Sequence, residues 1–191
     1  MGSMTDWSEL TWRNEPLAEA RDDLLIVRTS PQTDFWRQTH YGFVRDSGHF
    51  LGLRASPDFT VQVRLQGEYR TLYDQAGLML RADERRWIKA GVEFVGRQQL
   101  SAVVTLERSD WSVVPTLLDP AFIDLRLTRR EDAVSVQARQ PGQRWQLLRL
   151  APFPAELEAQ VGVYAASPGT EGFEVTFSHF SLGGAREGPL Y

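Results

Sequence analysis

The chain has no cysteine at all. That excludes disulfide staples, thiolate nucleophiles and thiolate metal sites, and it fits a reducing compartment, so a cytoplasmic address is expected. Histidine is scarce: His40, His49 and His179 are the whole supply. None stands at a ligand-like spacing from another, so no metal centre is expected, while loop carboxylates such as Asp34 and Asp110 leave calcium open. No apolar run reaches the roughly 18 residues of a spanning helix, and the start shows no charged-then-apolar leader, which argues against a membrane partner. Basic residues are outnumbered, 21 Lys and Arg against 25 Asp and Glu for a formal net charge of -4, and they form no stripe to neutralise phosphates. A nucleic-acid partner is therefore not expected. A Gly-x-Ser-x-Gly elbow, a phosphate loop, a dinucleotide fingerprint and any long helical period are also missing, so no cofactor is expected.

What the chain does have is alternation. Between Tyr73 and Thr105 three segments repeat with the period of two that a strand needs when one face covers a core. Ala76, Leu78 and Leu80, then Ile88, Ala90, Val92 and Phe94, then Leu100, Ala102, Val104 and Leu106 form the inward faces. Short turns between them predict an antiparallel meander. A first turn centred on Glu84 sets Arg81 against Trp87, Met79 against Lys89, Gly77 against Gly91 and Gln75 against Glu93. A second, centred on Arg97, sets Glu93 against Ser101, Gly91 against Val103 and Lys89 against Thr105. The outward face then carries rows of Gln75, Glu93, Ser101 and of Met79, Lys89, Thr105, parted by a bare glycine row. Mid-strand glycines mark a bulge or a close approach to the backbone. Lys89 and Glu93, four residues apart, lie roughly 13 Å from each other along a strand, too far for a close ion pair.

The same signals recur along the chain. An arm from Thr5 to Pro16 is expected to dock through Trp7 and Trp12, and strands are expected at Leu24–Thr29, Phe50–Leu53 and Phe59–Leu65. Between them a loop gathers Asp34, Trp36, His40 and Tyr41. After Ser109-Asp110-Trp111-Ser112 comes an irregular stretch with Pro115 and Pro120. Further strands are read at Ile123–Leu127, Val134–Arg139, Arg144–Leu150, Gln160–Ala165 and Phe173–Leu182, with a helical turn at Ala155–Glu158. Ten or more short strands in 191 residues predict an all-β sandwich or barrel forming one domain over 4–191. Met1, Gly2 and Ser3 read as an expression scar.

The meander's outward face and the loops beside it supply the candidate site. Gln75, Lys89, Glu93, Ser101 and Thr105 form its polar centre, with Arg81 and Trp87 extending it along the strands. Trp111 offers a stacking platform next to Asp110, and Trp36, His40 and Tyr41 border the face from the loop. Hydrolysis of a glycoside would need a second carboxyl beside Glu93, for which Asp74 and Asp110 are the candidates.

The segments TDFW (Thr33–Trp36), HYGF (His40–Phe43), YDQAGLMLR (Tyr73–Arg81), WIKAGVEF (Trp87–Phe94), LSAVVT (Leu100–Thr105) and SDWS (Ser109–Ser112) carry a family resemblance. Nearly the whole chain resembles a regulator-of-enolase-like domain-of-unknown-function family in the concanavalin A-like lectin/glucanase superfamily. The resemblance implies a two-sheet jelly roll with one concave sheet, and relatives in the superfamily bind or cut sugars on that sheet. Taken with the polar patch on that sheet, the expected function is non-catalytic recognition of a carbohydrate or sugar-derived small molecule, tied to regulation of sugar metabolism. Glucanases of this fold carry a closely spaced acidic triplet on one strand. This sequence lacks it, which counts against simple glycoside hydrolysis. Two alternatives stay open: a glycan-active enzyme using Glu93 as acid/base, and a protein-interaction module.

Overall fold

Short apolar alternations, punctuated by turn residues, become strands throughout the computed structural model, which describes residues 3–4, 6–116 and 119–190. In chain order these are β1 (Ser3–Met4), β2 (Thr11–Arg13), β3 (Leu17–Arg21), β4 (Leu24–Arg28), β5 (Phe35–Arg37) and β6 (Val44–Asp46). They continue as β7 (His49–Arg54), β8 (Phe59–Gly67), β9 (Gln75–Arg81), β10 (Arg86–Phe94), β11 (Gln98–Leu106) and β12 (Arg108–Pro115). The last five are β13 (Ile123–Arg130), β14 (Ala133–Arg139), β15 (Gln146–Pro152), β16 (Gln160–Ala166) and β17 (Glu174–Gly183). Met1, Gly2 and Thr5, which belong to the predicted scar and arm, lie outside the described residues. Ser3 pairs with Leu182.

Two antiparallel sheets stack face to face. One runs β15-β14-β13-β8-β17-β4-β3 with β1 on β17, the other β12-β11-β10-β9-β16-β7-β2. Phe59, Val61, Val63 and Leu65 from β8 meet Leu78, Ile88 and Val92 of the meander in the core between them. Trp7, on a 3-10 turn at Trp7–Glu9, plugs into the same core. Of the sandwich and barrel that the alternation allows this is the antiparallel sandwich, and it is the concanavalin A-like jelly roll that the family resemblance implies. Among the described residues no helix is long and apolar enough to cross a membrane.

The meander's first pairing has the expected register, from Arg81 opposite Trp87 to Gln75 opposite Glu93. The second differs by two residues. Its turn centres on Gly96, whose φ of +82° lies in the left-handed region that glycine enters without steric cost. Glu93 therefore faces Gln99, Gly91 faces Ser101, Lys89 faces Val103 and Trp87 faces Thr105. An offset of two leaves every side chain on its expected face. Strand β12 runs on to Pro115, where the stretch expected to be irregular begins, and within residues 155–158 the chain makes one turn, with Leu157 donating to Pro154 at 3.1 Å.

A second departure shapes the candidate site. The loop expected between β4 and β7 folds into a hairpin, β5–β6, that lies across the outer face of the seven-stranded sheet. Under it Phe35, Phe50, Met79, Trp87, Val103 and Tyr164 pack as a small second core. Polar straps hold it down. Asp46 takes both guanidinium nitrogens of Arg81, at 2.7 and 2.8 Å, and one of Arg13 at 2.7 Å. At the other strand the Arg37 backbone donates to Ser109 Oγ at 2.9 Å.

Candidate functional site

The bare glycine row comes first, because its cause lies inside the sheet. A Cβ on Gly77 would sit 2.0 Å from the Ala90 carbonyl oxygen, and one on Gly91 would sit 2.0 Å from that of Ala76. The close approach marked by these glycines is therefore the neighbouring strand itself. They reserve no space for a ligand.

The pocket opens beside them, between the hairpin and the sheet, with a volume of about 210 Å³. Its polar floor comes from Gln75 on β9, Lys89 and Glu93 on β10, and Asp34 at the root of the hairpin. Strand alternation aims Gln75, Lys89 and Glu93 to one side, and the hairpin brings Asp34 over them. The Lys89 ammonium donates to the Phe35 carbonyl at 2.7 Å and to Gln75 Oε1 at 2.5 Å, and lies 3.6 Å from Asp34 Oδ1. Gln75 Nε2 donates to the Tyr73 carbonyl at 3.1 Å and to Asp34 at 3.3 Å. Asp34 also accepts from the Phe35 backbone at 2.8 Å. Lysine, glutamine and aspartate thus form one closed set.

Glu93 stands apart from that set. It is only 5% exposed. Ser101 Oγ accepts the Trp111 indole proton at 3.1 Å, which leaves its own proton free to turn toward Glu93. Burial pushes the Glu93 carboxyl above its ordinary range; Lys89 and Ser101 pull the other way, and Asp34 adds to the push. Burial likewise lowers the Lys89 ammonium, with Asp34 and Glu93 opposing.

Aromatic side chains build the walls. Trp36 meets Tyr41 edge to face at 5.6 Å and Trp111 at 6.2 Å, while Trp111 meets Tyr73 at 6.4 Å, all near perpendicular. Tyr41 lies close enough to Tyr73 to raise its phenol above the ordinary value. Phe43 stacks on Tyr41 at 5.5 Å.

Of the residues singled out from sequence, Gln75, Lys89, Glu93, Trp36, Tyr41 and Trp111 line this pocket, and Ser101 stands just behind Glu93. The others lie elsewhere. Thr105 is fully buried and shares a hydrogen bond with Ser109 at 2.9 Å, and Trp87 is sealed in the second core. Arg81 is spent on Asp46. Asp110 points to the opposite face of β12 from Trp111 and pairs with Arg149 at 2.9 Å, so it joins neither Glu93 nor Asp34 as an acid or calcium partner. His40 is exposed, on the outside of Tyr41 at 4.8 Å. Asp74 is closed to solvent and anchors a loop, accepting from Arg70 and Thr71 backbone amides at 2.8 Å each. The second carboxyl in the pocket is Asp34. Tyr73, Phe43, Val103 and Pro168 complete the lining. Val103 was within reach of the sequence, since it shares the face of Ser101, but its row depended on where the second turn closed.

The family model described as "Protein of unknown function (DUF1349)" matches residues 12–185. Regulation of enolase protein 1 of Saccharomyces cerevisiae is 43% identical over 180 residues, which cover 93% of this chain and 91% of that one. The crystal structure of a functionally unknown protein from Saccharomyces cerevisiae superposes with a TM-score of 0.91 at 43% identity, covering 96% of this chain and 100% of that chain. The GH43 protein BlXynB from Bacillus licheniformis, at 12% identity, shares the fold alone: its TM-score is 0.68, and 87% of this chain spans 34% of that one. With 174 consecutive positions matched, from Trp12 to Ala185, the chain belongs to the DUF1349 family.

Proposed function

We propose that the protein binds a small carbohydrate or sugar-derived molecule in the pocket under the β5–β6 hairpin and acts by binding, in a regulatory capacity, rather than by catalysis. The observation that carries this reading is the pairing of aromatic walls with an inward-facing carboxylate, Glu93, that the surrounding ion pair leaves unclaimed. An indole or phenol face suits the C–H face of a sugar ring, and a carboxylate accepts from hydroxyls. A volume of about 210 Å³ lies below the roughly 300–1,000 Å³ of drug-sized sites. One ring fits better than a chain. The name of the yeast relative, Regulation of enolase protein 1, supports a regulatory role, and the GH43 neighbour is consistent with a carbohydrate context.

Trp36 and Trp111 both line the pocket, so their fluorescence reports occupancy. Titration with monosaccharides and their oligomers should give a saturable change for single-ring ligands, with no gain from added rings. Silence across the panel would refute a saccharide site. A hydrolytic alternative draws on one observation, the second carboxyl of Asp34 in the same pocket. Against it, Asp34 is already engaged by Phe35, Gln75 and Lys89. Release of phenol from a panel of aryl glycosides would bring that alternative back.

A further inference from the structure

The pocket's donors and acceptors do not balance. Lys89, the cation on its floor, is committed to Phe35, Gln75 and Asp34. Gln75 spends its amide protons on Tyr73 and Asp34. What remains facing the space is acceptor-rich: the Glu93 carboxylate and the open side of Asp34. With two carboxylates against one ammonium, the formal charge of the floor is negative by one.

The walls point the same way. Stacking on a neutral sugar uses one or two ring faces. Here Tyr41, Trp36, Trp111 and Tyr73 follow one another at near right angles, and the two tyrosines at the ends lie close enough to affect each other. Several rings set at right angles around one space favour a compact cation over a flat neutral ring. An ammonium group is also a pure donor, the complement of an acceptor-rich floor.

We propose that the ligand of this pocket is an organic ammonium, its cationic nitrogen enclosed by the Tyr41, Trp36, Trp111 and Tyr73 rings and facing Glu93. This rests on the preceding reading for the place of the site and, for sugars, narrows it to an amino sugar. A methylated amine offers the same chemistry from another source, and the test separates the two.

The experiment is calorimetric titration of the full chain with glucosamine, glucose, N-acetylglucosamine and tetramethylammonium. Glucose and glucosamine differ by one hydroxyl-for-ammonium exchange, the acetylated sugar keeps the nitrogen without its charge, and tetramethylammonium keeps the charge without the sugar. Glucosamine should bind about tenfold more tightly than glucose or the acetylated sugar, the scale of a desolvated cation–π contact together with a carboxylate. Glu93→Gln should abolish that preference, so that glucosamine binds the variant no more tightly than glucose does. Trp111→Leu, at a ring that is 38% exposed and dispensable to the core, should weaken glucosamine and tetramethylammonium alike, and it decides the matter if Glu93→Gln does not fold. Equal affinities for glucose and glucosamine would overturn the cation inference while the saccharide reading stands. Binding of tetramethylammonium with no sugar bound would do the reverse. No binding by any of the four would end both.

Discussion

His49 shows how a residue type associated with chemistry is used here for structure. Its ring is 3% exposed, Nε2 accepts from the Ser30 amide at 2.9 Å, and Nδ1 donates to the Asn14 carbonyl. That tautomer ties the arm to the loop entering the hairpin, and it needs a neutral ring. Burial lowers the His49 pKa below its ordinary 6.5, so the unfolded chain binds this proton more readily than the folded one. The contribution is therefore fully present above pH 6.5 and is lost as pH falls from there toward the depressed folded value. Thermal melts across that window should show a steeper acid loss for the native protein than for His49→Gln, which starts less stable and stays flat. Equal slopes would assign the acid sensitivity to other groups.

At the scale of elements, the meander is where sequence and structure agree most closely, because a period of two plus a short turn leaves few registers open. Gly77 and Gly91 were legible as a special row, but their meaning was not. Side-chain alternation places a residue on a face without revealing how close the next backbone runs. Since a Cβ at Gly91 would meet the Ala76 carbonyl at 2.0 Å, even Gly91→Ala should cost on the order of 1 to 3 kcal/mol by overpacking, and Gly91→Val more. Urea unfolding measures this directly, and unchanged midpoints would show that the strands can part without penalty. The hairpin was harder to foresee. Its straps join residues far apart in sequence, Lys89 to Phe35 and Arg81 to Asp46, and no local periodicity encodes such pairs. Half the polar residues expected on an open face therefore turned out to be fasteners, among them Arg81 and Thr105. Those that line the pocket, such as Glu93 and Trp111, were legible because strand alternation alone aims them.

Across the whole molecule, the two sheets are stitched by pairings of very different reach. The seven-stranded sheet grows largely from neighbours in sequence, β9 to β12, whereas in the other sheet β17 lies between β8 and β4 and pairs with both. Phe177 and Val175 of β17 are core residues with no exposure to speak of. A chain cut before Glu174 should therefore lose more than an edge. It should leave Leu25, Val27 and Leu65 without their neighbour and fail to show a cooperative melt or resist limited proteolysis. A truncated chain that melts like the parent would show that the sandwich tolerates a gap at its middle. The same placement matters while the protein is being made. Because β17 follows β4 and β8 far along the chain, those two strands emerge with open flanks that β17 fills later, and during translation the nascent chain offers two unpaired strand edges to whatever chaperone, or whatever other nascent chain, reaches them first.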